Sequence, residues 1–157
     1  MCVAPTPEQL VETAMTLAAE AGRRGDPPFG ALLVSPHGEV VAMASNRQVS
    51  GGDPTAHAEI ELLRAAARDG HRPPLRAYAV VVNAEPCSMC ASALVKAEVG
   101  SLIYGAPHEP HMDPDLDVAS VFARARHPPV ITAGILASEA AAQVSAVRAA
   151  GSGPSID

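Results

Sequence analysis

Four residues in two short stretches have the types and the spacing that a metal site needs. The stretch TAHAE places His57 and Glu59 two positions apart, and the stretch PCSMC places Cys87 and Cys90 three positions apart after a proline. Cysteines at this spacing in the first turn of a helix face one direction, and the unsatisfied N–H groups there lower their pKa. Such a pair supplies half of a zinc site, but a thioredoxin-like redox pair also begins a helix after a strand. The cysteines alone therefore favour neither interpretation.

His57 favours the metal interpretation. It lies at the start of the helix predicted before the cysteines, and a single predicted strand separates the two helices, so their N-termini can lie side by side at one edge of a sheet. A His, Cys, Cys set with an open fourth position is the pattern of catalytic zinc, whereas structural sites are closed by a fourth ligand. Cys2 or another of the six histidines is an alternative fourth ligand, which would make the site purely structural.

Glu59 indicates what the metal site would do. A residue two positions from a ligand does not share its helical face, so Glu59 can point beside the metal toward the open position. A carboxylate there can take a proton from water and hand it to a leaving group. The alternative is a glutamate that only complements the helix dipole.

The elements that must position these residues follow one another in the order αββαβαβαβα. Thr6 and Gln9 form a capping-box pattern at the first helix, and Thr55 is the predicted cap of the second. This order predicts helices packed on a mixed sheet of about five strands, the first two strands forming a hairpin. Helices are predicted over 6–22, 55–70, 86–100, 115–126 and 137–150, and strands over 29–35, 39–46, 77–84, 101–107 and 130–136.

Composition limits the classes of protein to consider. The 157 residues, 48% of them hydrophobic, predict one domain over 1–157, with a core over about 7–148 and a flexible tail over 151–157. Basic residues number 11 against 17 acidic ones, and no basic stripe is visible, which disfavours nucleic acid as a partner. The N-terminus lacks a secretory-signal pattern and no apolar run approaches about 18 residues. We therefore expect a cytoplasmic protein with no membrane partner.

The pattern HxE followed by PCxxC, present as His57, Glu59, Cys87 and Cys90, resembles the signature of the zinc-dependent cytidine deaminase superfamily. Further segments resemble the branch that contains cytosine deaminase, guanine deaminase and the tRNA adenosine deaminases; they are DPPFGALLV, DPTAHAEI, EPCSMCASAL, LIYGA and ITAGIL. The resemblance implies a three-layer α/β/α sandwich with a five-stranded sheet, and a homodimer. It also implies one Zn²⁺ per chain, held by His57, Cys87 and Cys90, with Glu59 as the proton shuttle.

The same resemblance implies the reaction and its substrate contacts. An amino group on a nucleobase, nucleoside or triazine-like ring would be replaced by a carbonyl with release of ammonia. Asn46 would hydrogen-bond the ring, although an asparagine after a strand also fits an ordinary turn. The backbone N–H of Ala58 would meet a ring carbonyl, and Phe29 would line the pocket or fill the core.

The chain departs from the tRNA-deaminase pattern in two places. After IYGA it carries PHEPHMDPDLD, and its last helix offers a single arginine, Arg148, where contacts with tRNA would need several positive charges. These departures favour a free base or small heterocycle over tRNA. In that segment His108, His111, Asp113 and Asp115 are candidates for binding ring nitrogens, and a solvated surface loop is the alternative.

Overall fold

The computed structural model describes residues 3–108 and 116–151. The order of elements is the predicted one. The helices are α1 (Pro7–Arg23), α2 (Ala58–Arg68), α3 (Ser88–Lys96), α4 (Val118–Phe122) and α5 (Ala137–Gly151), and the strands are β1 (Gly30–Val34), β2 (Val40–Ser45), β3 (Ala79–Ala84), β4 (Ser101–Ala106) and β5 (Val130–Thr132). Outside the described residues lie Cys2, His111, Asp113, Asp115, the side chain of Arg148, and positions 152–157 of the predicted tail. Gly151, which was predicted to belong to that tail, is instead the last residue of α5.

The five strands form one mixed sheet in the order β2-β1-β3-β4-β5. Strand β1 pairs antiparallel with both β2 and β3, while β3, β4 and β5 are parallel. Because β2 and β3 are each antiparallel to β1, they run in the same direction, and their carboxyl ends share one edge of the sheet. The segments that lead into α2 and α3 both start from that edge.

Helices cover the two faces of the sheet, as a three-layer sandwich requires. Leu32 and Val81 pack against α1, whereas Leu33, Val80 and Val82 pack in the larger cluster with α2, α3 and α4. This alternation follows the two-residue period of a strand. Helix α5 packs against β4 and α1, which completes the first outer layer. Among the described helices, none combines the length and the apolarity needed to cross a bilayer.

Helix starts are the part of the prediction that needs correction. Thr6 caps α1 as predicted, since its Oγ1 accepts from Gln9 N at 3.3 Å and Gln9 Oε1 accepts from Thr6 N at 2.9 Å. The predicted cap Thr55 is wrong, because α2 begins at Ala58. The N–H and Oγ1 of Thr55 instead donate to Asp53 Oδ1, at 2.8 and 2.7 Å. A local side-chain turn has replaced the first helical turn.

Helix α4 is shorter than the predicted 115–126, since it covers Val118–Phe122. Helix α3 and strand β5 also end earlier than predicted, for a backbone reason. Helix α3 ends at Lys96, and Glu98 shortly beyond it has φ +52°. Strand β5 ends at Thr132, before Gly134 and Leu136, which have φ +79° and +54°. Residues in the left-handed region continue neither a right-handed helix nor a strand.

Candidate metal centre and active site

The three predicted metal ligands meet at the sheet edge where β2 and β3 end. His57 is the N-cap residue of α2, Cys87 is the N-cap residue of α3, and Cys90 lies in the first turn of α3. Their ligand atoms all lie within 4.8 Å of one another, and Cys87 Sγ is 3.5 Å from His57 Nδ1. Cys90 is fully buried. The convergence follows from the sheet, because β2 and β3 deliver α2 and α3 to the same edge.

The two cysteines differ in their affinity for a proton. The hydrogen bond with Cys90 and, against the opposing effect of burial, the hydrogen bond with His57 together lower the pKa of Cys87 to about 4. The hydrogen bond with Cys87, followed by burial, raises the pKa of Cys90. One thiolate is therefore present before a metal binds, and metal binding would release the second proton.

The donor set fits zinc. Two thiolates and an imidazole are ligands that zinc prefers in a tetrahedral site. Among residues 3–108 and 116–151, the group that brings ligand atoms this close consists of His57, Cys87 and Cys90. Within the part of the chain that the structure describes, these three ligands would leave the fourth position to water or substrate, which is the arrangement of a catalytic site.

Glu59 lies beside the ligand group. It is 5% exposed in the first turn of α2. Burial raises its pKa, the negative charge on Cys87 adds to the increase, and hydrogen bonds with its own N–H and with Cys90 oppose it. A glutamate that only complemented a helix dipole would not need this burial. A carboxyl with a raised pKa next to a metal site is suited to accept a proton and return it.

Asn46 follows β2 at the same edge and is fully buried. Its Oδ1 accepts from Gln48 N at 2.9 Å, and its Nδ2 donates to Gln48 Oε1 at 2.6 Å. An amide side chain can accept two hydrogen bonds and donate two, so these contacts leave it capacity for a ligand. The next residue, Arg47, donates its N–H to the carbonyl oxygen of Ala56 at 2.9 Å. The residue next to Asn46 is therefore hydrogen-bonded to the segment that carries His57.

Phe29 and Ala58 are the other predicted substrate contacts. Phe29 precedes β1, packs partly against the core, and lines a pocket. None of the candidate metal ligands lines this pocket, so a contact between Phe29 and the substrate stays a prediction. Ala58 is the first residue of α2, where backbone N–H groups have no acceptor within the helix. Lining the pocket with Phe29 are Ala84, Glu85, Ala106, Pro107, His108, Ala141 and Val144.

Asn83 is a fully buried residue that sequence reasoning missed. Its Oδ1 accepts from Gly30 N at 2.9 Å, and its Nδ2 donates to the Pro28 carbonyl oxygen at 3.0 Å. It thereby holds the backbone on both sides of Phe29. Gly30 contributes to the same fit, because a Cβ there would overlap the Ala14 carbonyl oxygen of α1. The sequence signal for Asn83 was its polar side chain at the end of the otherwise apolar run AYAVVVN.

Glu85, between β3 and the candidate ligand Cys87, is another residue that sequence reasoning missed. Its carboxylate accepts from His108 N at 2.9 Å and from Val118 N at 3.2 Å. Burial, together with the charge and hydrogen bonding of Glu85, raises the pKa of Tyr104 to about 12. Through these hydrogen bonds, Glu85 connects α4 and the residues after β4 to the segment that leads into the metal centre. Of the predicted loop residues, His108 lies in the pocket wall.

Comparison with known proteins identifies relatives with the same ligand region. Residues 5–106 match the family model described as the cytidine and deoxycytidylate deaminase zinc-binding region. The tRNA-specific adenosine deaminase of Haemophilus influenzae is 30% identical over 146 residues, which cover 88% of this chain and 80% of that protein. The solved guanine deaminase of Nitrosomonas europaea has a TM-score of 0.81 and 25% identity, over 94% of this chain and 87% of that chain.

A third relative is much longer than this chain. The tRNA(Ile)-lysidine synthase of Deinococcus radiodurans is 40% identical over 93 residues, which are 59% of this chain. Those residues cover 16% of the synthase. The similarity therefore concerns one part of that protein.

Proposed function

The chain belongs to the cytidine and deoxycytidylate deaminase family, and from that premise we propose that it is a zinc-dependent hydrolytic deaminase of a nucleobase or related small N-heterocycle. The reaction replaces a ring amino group by a carbonyl, consumes one water and releases ammonia. The observation that carries the proposal is the buried Glu59 carboxyl beside a group of three zinc-type ligand atoms. A structural zinc site would not need a buried carboxyl at that place, nor would a dithiol redox pair.

Glu59 moves the protons in this mechanism. Zinc, if held by His57, Cys87 and Cys90, would supply Lewis-acid activation of the attacking water. The Glu59 carboxylate passes one proton of that water to the ring nitrogen beside the reacting carbon, and then passes the proton of the added hydroxyl group to the amine nitrogen. The C–N bond then breaks, ammonia leaves, and the new carbonyl remains on the ring. The raised pKa of Glu59 favours the protonated carboxyl that the second transfer requires.

Substrate binding in this proposal uses the residues around the same edge. The buried amide of Asn46 donates to and accepts from the edge of the ring. The N–H of Ala58, at the start of α2, donates to a ring carbonyl. Phe29, held in place by Asn83 on both sides, gives the ring an apolar wall.

Deamination of an adenosine in tRNA is the second candidate function. The similarity to the Haemophilus influenzae enzyme over 88% of this chain supports it. A formal net charge of −6 supports the small substrate instead, because contacts with a phosphate backbone require clustered Lys and Arg.

Ammonia release separates the two candidates. The zinc-loaded protein is assayed against free bases, their nucleosides, an aminotriazine, and an adenosine-containing tRNA anticodon stem-loop, with the zinc-stripped protein as the blank. Release from a base or small ring supports the first candidate, and release from the stem-loop alone supports the second. Absence of ammonia from every compound would contradict the deaminase proposal.

The predicted homodimer belongs to this proposal as well. Val40 and Met43 of the edge strand β2 are 38% and 55% exposed, and self-association would cover such apolar surface. Light scattering over a range of concentrations measures the mass directly. A mass that stays at one chain throughout would contradict the dimer.

A further inference from the structure

Asp26 is a buried carboxylate that the chemistry proposed above does not use. Its Oδ1 accepts from the N–H groups of Val49 at 3.0 Å and Ser50 at 2.8 Å. Its Oδ2 accepts from Ser50 Oγ at 2.7 Å and from Arg24 Nε at 3.2 Å. Burial alone would raise the pKa of Asp26, but the hydrogen bonds from Ser50, Val49 and Arg24 hold it below its ordinary value. The Asp26 carboxylate is therefore ionised, and both of its oxygens accept hydrogen bonds.

Arg24 extends this network to Asn46. While its Nε donates to Asp26, its Nη2 donates to the Asn46 carbonyl oxygen and to Ser45 Oγ, both at 2.9 Å. A rigid guanidinium can hold several acceptors at once in a fixed geometry. On the other side, the N–H of Asn46 donates to the Phe29 carbonyl oxygen at 2.9 Å. Both polar groups of the Asn46 main chain are thus held by partners distant in sequence.

We propose that Arg24 and Asp26 form a positioning pair, which fixes the main chain at Asn46 and thereby aims the Asn46 side chain at the substrate ring. Asp26 orients the guanidinium and anchors Val49 and Ser50 just after Asn46. Arg24 holds the Asn46 carbonyl oxygen. Neither residue touches the substrate, and the inference rests on the proposed function, in which Asn46 binds the ring.

A double-mutant cycle distinguishes positioning from a general contribution to stability. The Arg24 side chain is 32% exposed, and Arg24→Ala leaves Asp26 its three hydrogen bonds from Val49 and Ser50, so the variant should fold. We expect kcat/KM to fall by about 3- to 30-fold, the range for one lost hydrogen bond. In an Asn46→Ala background the same change should cost less than about 2-fold, because the group it positions is gone. An equal loss in both backgrounds, or no loss in the parent, would overturn the proposal.

Arg76→Ala is the matched control. Arg76 also forms an ion pair with a carboxylate, that of Glu98, but it precedes β3, at the opposite end from the metal centre. We expect kcat/KM to stay within about 2-fold of the parent in both backgrounds, as for most exposed ion pairs.

A measurement without substrate tests the same pair. Asn46 and Asn83 are the two asparagines of the chain, so NMR of side-chain amides reports each of them separately. Arg24→Ala should shift the Asn46 amide resonances and leave those of Asn83 in place. Unchanged Asn46 resonances would overturn the positioning role. If the parent releases no ammonia from any compound, the deaminase proposal fails, while this spectrum still decides whether Arg24 and Asp26 hold Asn46.

Discussion

The start of α1 differs from the starts of α2 and α3 in what the N-cap side chain does. Thr6 and Gln9 satisfy each other's backbone N–H groups at the start of α1. The N-cap residues of α2 and α3 are His57 and Cys87, and neither side chain makes a capping hydrogen bond. These two side chains instead contact each other, at 3.5 Å, in the metal-ligand group. At α2 and α3 the residue in the N-cap position is a candidate metal ligand and not a helix cap.

The difference shows where helix stability comes from near the site. A side-chain cap typically contributes about 1 kcal/mol, and α2 and α3 lack it. Their stability depends on packing, since Leu62 of α2 and Leu94 of α3 are fully buried against the sheet. The N–H groups at these two helix starts lie at the site, where they favour thiolates and other negative charge. Variants at the two kinds of helix start should therefore act on different properties.

Loss of a metal ligand is expected to have the largest effect. The protein should bind one zinc per chain, and Cys90→Ala should abolish tight binding, because it removes a thiolate from a three-residue set. Metal analysis after dialysis against a weak chelator measures the stoichiometry. The control is Cys2→Ala, which should keep its zinc. Zinc loss in that control would indicate a site closed by a fourth ligand, and full zinc in Cys90→Ala would contradict the ligand assignment.

Glu59→Gln should affect the rate and leave the metal in place. The change keeps the size of the side chain but removes its ability to carry a proton, and proton transfer by a positioned group contributes about 10² to 10⁴ in rate. Because Glu59 serves both water and amine in the proposal, we expect a kcat loss of about 10⁴ or more with zinc retained.

Glu61→Gln is the matched control for Glu59. Glu61 lies in the first turn of the same helix and forms an ion pair with Arg64 at 2.5 Å. Its activity should stay near that of the parent. Near-parental ammonia release by zinc-loaded Glu59→Gln would contradict the mechanism.

Thr6→Ala should reduce stability alone. It removes a capping hydrogen bond from α1, which should lower the free energy of unfolding by about 0.5–2 kcal/mol. Urea denaturation measures this, and both zinc content and kcat/KM should be unchanged. A loss of zinc in this variant would contradict the division between the two kinds of helix start.

Local patterns predicted the order of elements and the hairpin. The periodicity of apolar residues and the positions of glycine and proline are local properties, and they sufficed for each helix and strand to be found. The meeting of His57 with Cys87 followed from topology, since a single strand separates their helices. Thr6 as a cap was also predictable, because its partner Gln9 is three residues away.

Tertiary contacts decided what local patterns missed. Thr55 is the same preferred N-cap residue type as Thr6, but its N–H and Oγ1 donate to Asp53. Asp26 and Asn83 look like loop and strand-end residues, and their importance depends on burial and on partners 23 to 55 positions away. No local pattern contains that information, because burial of a polar side chain is a property of the assembled sheet and loops.

The smallest expected effect tests whether the start of α2 can accept a cap at all. Without zinc, His57→Asn should have a free energy of unfolding about 0.5–1 kcal/mol above that of His57→Ala, because asparagine is a preferred N-cap residue and alanine is not. His57 already has the extended backbone of an N-cap, with φ −66° and ψ 156°, so asparagine needs no rearrangement. Both variants lose the same ligand, and the comparison between them, by urea denaturation in chelator, isolates the cap. Equal stabilities would mean that surrounding contacts, and not the identity of the N-cap side chain, prevent capping at α2.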